Sequence, residues 1–158
     1  MSLAGSSLRW RWVLAGGVFV ATLDALFATG FWYLRNAVPP VRILQSIAAG
    51  LLGEASFEGG AATAWLGAAL HCAIAIVMVA VYALAARRWP RLTGHPWSSG
   101  LAYGALLYGA MTWVVVPLSA ASPSPKVPAW IAASIAMHLF IGLLCAVFTR
   151  RAQRRNAA

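Results

Sequence analysis

The run from Ala61 to Ala86 most constrains what this chain can become. It holds about 26 residues without an Asp, Glu, Lys or Arg, and Arg87-Arg88 closes it. At ~1.5 Å of rise per residue, a helix of that length crosses a ~30 Å hydrocarbon core. Three more runs of the same kind place membrane spans at about 11–33, 61–86, 98–116 and 129–149. The composition agrees, with 61% hydrophobic and 9% charged residues, against ~45–50% and ~25% in soluble domains. The expected fold is all-α: an integral membrane four-helix bundle forming one transmembrane domain over residues 1–158. The first run follows Arg9 and Arg11 and exceeds the ~7–15 apolar residues of a secretory signal, so a retained span is expected.

A net charge of +9 raises the question of nucleic acid. The basic residues stand at the ends of apolar runs, which is a topology signal and not a phosphate-binding patch. Arg9, Arg11, Arg87, Arg88, Arg91, Arg150, Arg151, Arg154 and Arg155 fall on one side, and Arg35, Arg42 and Lys126 on the other. That asymmetry predicts both termini in the cytoplasm. Tryptophan sorts the same way. Trp10, Trp12, Trp89 and Trp97 mark the inner ends, and Trp32, Trp65, Trp113 and Trp130 the outer ends. The expected partner is the lipid bilayer, with room for a homo-oligomer or a membrane-complex partner and no nucleic acid.

The first outer loop, 35–60, is too long for a plain turn. Ile43, Leu44, Ile47, Ala48, Leu51 and Leu52 recur at helical spacing, so a short amphipathic helix is expected over about 40–53. Pro39 and Pro40 suit its start and Gly53 its stop. It should lie on the outer surface or dip in as a lid. Glu54 and Glu58 read as a solvated helix end. The inner connector RRWPRLTGHPW is short, with His95 solvated, and the third span should end at Pro117. Spans two and four share an Ala-Trp pair, a mid-span His and a closing Arg-Arg, a faint internal repeat.

Chemistry rests on Asp24, His71 and His138. A mid-span Asp costs roughly 2.5–3.5 kcal/mol on insertion scales, so it needs compensation or a role. The three residues lie about 9–12 Å below the outer tryptophans, in one layer. Each sits on a small-residue stripe: Gly17, Ala21 and Ala28 with Asp24; Ala64, Gly67 and Ala75 with His71; Ser134, Gly142 and Cys145 with His138. Gly100 and Gly104, continued by Tyr108, form a GxxxG line in the third span. Such stripes mark helix seams, so the polar residues should face inward and reach one another.

That layer supports four readings. It can fix helix pairing without turnover. It can relay protons, since buried carboxylate and imidazole exchange them near neutral pH. His71 and His138 can ligate a haem b across the bundle. Asp24, His71 and His138 match a three-ligand metal set in type. Cys72 and Cys145 lie roughly 12 Å apart along the membrane normal, too far for a disulfide. No nucleophile elbow, phosphate loop or HExxH is present, so nothing points to an enzyme.

The segment VPPVRILQSIAAGLLG, followed by a Gly-Gly turn into a His-bearing span, resembles a group of small four-span bacterial membrane proteins. The likeness runs from the Asp24 span to the Arg-Arg after span four. It implies a bacterial inner-membrane location and brings no activity with it. The sequence reading is therefore a polytopic, non-enzymatic membrane protein, an accessory or structural subunit whose Asp/His layer organises the bundle and which needs no cofactor. A proton-coupled small transporter or channel is the alternative, followed by a bis-His haem or metal-binding redox protein.

Overall fold

A computed structural model describes residues 8–123 and 125–153. Residues 1–7, Ser124, and 154–158, which include Arg154 and Arg155 of the basic count, lie outside the described residues. The fold is all-α. Helices α1 (Trp10–Asn36), α2 (Pro40–Leu52), α3 (Gly60–Arg88) and α4 (Arg91–Gly94) precede α5 (Pro96–Ala110), α6 (Val116–Leu118) and α7 (Pro128–Gln153). Among the described residues, four helical stretches are long and apolar enough to cross a membrane: Trp10–Asn36, Gly60–Arg88, Pro96–Leu118 and Pro128–Gln153. The chain is a multi-pass membrane protein by this measure. Each stretch outruns its expected bounds by about a turn or less, because hydropathy stops before the backbone ladder does. Arg87, Arg88, Arg150 and Arg151 extend the last turns of α3 and α7, where positive charge meets the unpaired carbonyls of the helix end.

Two connections carry local structure that the sequence reading did not specify. The third span runs one residue past Pro117, to Leu118. Residues Met111–Val115 widen into a π-turn, in which the Val116 N–H reaches back to the Met111 carbonyl, and the helix then continues to Leu118. Proline lacks an N–H and its ring crowds the carbonyl four residues back; a wider turn just ahead of it relieves that clash and keeps the helix going. The connector Arg87–Trp97 contains the extra turn α4. There the hydroxyls of Tyr82 and Ser99 both close on the Leu92 carbonyl, at 3.0 and 2.7 Å, and lie 2.8 Å from each other. Exposed His95 stands at the start of α5, its carbonyl accepting from the Ser99 N–H.

Packing is set by glycines. A Cβ on Gly17 of α1 would collide with the backbone of Ile76 in α3. One on Gly104 of α5 would meet the His138 carbonyl, and one on Gly142 of α7 would meet Gly100 and Gly104. Without a hydrophobic driving force in lipid, such backbone contact supplies the dispersion that holds spans together. Helix α7 is central: it packs on α1, α3 and α5, while α5 leans chiefly on α7. Val13, Val20, Val79, Tyr82 and Cys145 fill the core between α1, α3 and α7.

Helix α2 begins at Pro40 and ends on Gly53, whose φ of 60° suits glycine. Gln45, Ala48 and Ala49 are buried, while Leu51 is 64% and Leu52 44% exposed. The reason is Gly67 of α3, whose missing Cβ leaves space for the Leu44 carbonyl and brings Ala48 close. Small residues let α2 dock by its backbone, and the large leucines are left outside.

Candidate functional site

Helices α1, α2, α3 and α7 and the π-turn line a partly open cavity of about 670 Å³. That falls within the ~300–1,000 Å³ typical of small-molecule sites, which are mostly apolar with a few converging polar groups. Here the polar groups are the three singled out by sequence: Asp24, His71 and His138 all line it. The apolar wall includes Phe27, Trp32, Trp130, Met78 and Met111.

Asp24 and His71 are brought together across the α1–α3 seam that Gly17 opens. The His71 Nε2 stands 3.6 Å from the Asp24 Oδ2, with side chains 18% and 24% exposed respectively. The same nitrogen lies 3.1 Å from the Ala21 carbonyl. A carbonyl oxygen only accepts, so Nε2 carries the proton and donates it there, within electrostatic reach of the carboxylate. His71 is thus held on α1 by backbone and side chain together.

His138 is oriented within its own helix. Its Nδ1–H donates to the Ser134 carbonyl at 2.8 Å, and the Tyr108 ring meets the imidazole edge to face at 5.5 Å. With Nδ1 protonated, Nε2 of the neutral ring is the acceptor. The two histidines therefore differ: His138 keeps Nε2 open, whereas His71 commits Nε2 to α1. They do not offer the matched Nε2 pair of a bis-imidazole haem site. Among the described residues, no three His, Cys, Asp or Glu side chains are grouped so as to hold a metal ion. Asp24, His71 and His138 thus line one cavity without making a three-ligand cluster. Cys72 and Cys145 are both free thiols.

The cavity's α2 end shows what sequence reasoning missed. Gln45 donates through Nε2 to the Gly60 carbonyl at 3.0 Å. The Ala120 N–H donates to the Gly50 carbonyl at 3.0 Å, and Ser122 Oγ donates to Glu54 Oε1 at 2.8 Å. Glu54 and Glu58 are exposed, as a solvated helix end should be, yet Glu54 also ties the loop after α6 to the short turn that follows α2. Arg42, from α2, donates to the Phe57 carbonyl at 3.2 Å and lies 4.9 Å above the Phe57 ring. Trp130 gathers Phe27, Phe31 and Trp32 at centroid distances of 6.1, 5.1 and 5.3 Å. Gln45 could have been noticed as the lone amide in an apolar helix; the aromatic gathering had no local signal. No protein-family model, curated protein or solved structure matches this chain.

Proposed function

We propose that this protein is a small proton-coupled membrane carrier that binds a largely apolar ligand in the cavity at Asp24, His71 and His138. One observation supports this reading above the rest. The carboxylate and both imidazoles inside the apolar helices line one ligand-sized space instead of being consumed by one another. A layer serving only to pair helices would be expected to close over its polar groups. The carboxylate, an imidazole beside it and a second imidazole with an open acceptor are the groups needed to take up and release a proton as a ligand comes and goes. The charge asymmetry and the tryptophan positions support both termini in the cytoplasm, and the resemblance to small four-span bacterial proteins supports an inner-membrane location.

The test is binding of a neutral aromatic fluorophore, N-phenyl-1-naphthylamine, to protein in lipid nanodiscs, with empty nanodiscs as baseline. Saturable binding that disappears in Ala28→Phe, which fills the cavity from α1, is the expected result. Binding unchanged by Ala28→Phe would remove the cavity from the function. The packing role keeps one supporting observation, the bond from His71 to the α1 backbone. It predicts no saturable binding and a loss of fold in Asp24→Asn.

A further inference from the structure

The class of ligand follows from what surrounds the carboxylate, and this step rests on the cavity being a ligand site. The chain has three acidic residues, and Asp24 alone lies within a span; Glu54 and Glu58 are in the short turn after α2. A carboxylate removed from water needs a counter-charge to stay ionised. His71 supplies it incompletely. At 3.6 Å the contact exceeds hydrogen-bond length, and its donor is already aimed at the Ala21 carbonyl.

The remaining surroundings favour positive charge of a particular kind. Phe27 and Trp130 stack 6.1 Å apart with only 18° between their planes, and Trp32 stands 5.3 Å from Trp130. Aromatic faces attract cations, most strongly when both are shielded from water. Met78 and Met111 add polarisable, adaptable surface. A small hydrated ion would gain nothing from such walls, whereas an organic cation could lay apolar substituents against them. We infer that the cavity takes a lipophilic organic monocation, its charge against Asp24 and its substituents against Phe27, Trp32 and Trp130.

The groups facing Asp24 are consistent with that assignment. His71 from α3 and His138 from α7 are the titratable groups nearest its carboxylate, Thr112 of the π-turn and Arg42 of α2 line the same cavity, and Tyr108 stands behind His138. Arg42 is the one fixed cation, and it is engaged with the Phe57 carbonyl and ring. A proton and an organic cation compete for one carboxylate, so binding weakens as pH is lowered.

The experiment uses two ions of near-identical shape and opposite charge, tetraphenylphosphonium and tetraphenylborate, in equilibrium dialysis against the protein in nanodiscs. The cation should bind saturably, lose at least about 10-fold in affinity in Asp24→Asn, a change of ~1.4 kcal/mol, and weaken toward acid pH. Asp24→Glu should keep most of the binding, which separates loss of charge from loss of fold. Trp130→Leu should weaken the cation several-fold with an unchanged far-UV spectrum. Equal binding of the cation to Asp24→Asn, or an anion bound as tightly as the cation, overturns the cation assignment and leaves the cavity as a ligand site. Failure of both ions and of the neutral fluorophore overturns the ligand site as well.

Discussion

The His71 imidazole meets two oxygens of one neighbouring helix through a single nitrogen, the Ala21 carbonyl at 3.1 Å and the Asp24 carboxylate at 3.6 Å. Truncation to His71→Ala leaves both without that partner, and a stability loss of about 1–3 kcal/mol is expected. His71→Gln should recover part of it, because an amide N–H can still donate to Ala21. In a double-mutant cycle with Asp24→Asn, the coupling should be near ~0.6 kcal/mol and below ~1.7, the range found for polar pairs between membrane helices. Unfolding in mixed micelles reads both quantities; a coupling of zero would mean the two side chains act independently.

Gly67 should not tolerate even a methyl group. Its Cβ would stand on the Leu44 carbonyl, which is backbone and cannot turn aside. Gly67→Ala is expected to cost about 1–3 kcal/mol and to lift α2. Protease cleavage between Leu52 and Phe57 should accelerate accordingly. Gly30→Ala, with nothing within 4 Å of the added carbon, is the control, and should be neutral or slightly stabilising, by up to about 1 kcal/mol.

The α5–α7 seam gives a sharper version of the same test. A methyl on Gly142 would strike both Gly100 and Gly104. Because α5 leans chiefly on α7, Gly142→Ala should raise amide exchange selectively over residues 96–118 and leave α1 and α3 protected. Uniform loss of protection would show that the four spans unfold as one unit.

Removing the proline tests the origin of the π-turn. Pro117→Ala restores an N–H and deletes the ring clash, so Met111–Val115 should relax to a regular α-helix, with slower exchange at Val115 and Val116. Met111 and Val115 line the cavity, so fluorophore binding should change in the same variant. A helix that keeps its π-turn without Pro117 would place the cause in the packing of Met111 and Thr112.

The spans were legible because hydropathy acts locally and a bilayer sets a minimum length. The same holds for the glycine seams: Gly104 and Gly142 were readable as contact points from their spacing, and both meet backbone. The depth count from the tryptophans brought Asp24, His71 and His138 to one level, and they line one cavity. What stayed hidden was nonlocal or depended on rotation about a helix axis. The face that α2 buries against the bundle is decided by a glycine in another helix, so the apolar spacing within α2 did not single out Gln45 and Ala49. The differing hydrogen bonds of His71 and His138 depend on which carbonyl each ring reaches, and no residue spacing reveals that. Trp65 and Trp130 occupy matching places in the faint repeat, yet Trp65 is 76% exposed and Trp130 sits in the aromatic group.

The uneven fastening of the cavity's walls gives it a direction. On one side α2 touches α3 backbone to backbone at Gly67 and is tied again through the Gly50 carbonyl to Ala120. On the other, the π-turn that lines the cavity continues α5, whose main support is α7. Spontaneous widening should therefore begin at the π-turn end of α5. A guest would then enter sideways from the acyl chains, with its effective concentration set by its partition coefficient and not by its level in water. A cross-link holding α5 to α1 should slow that exchange, and one holding α2 to α3 should leave it unchanged.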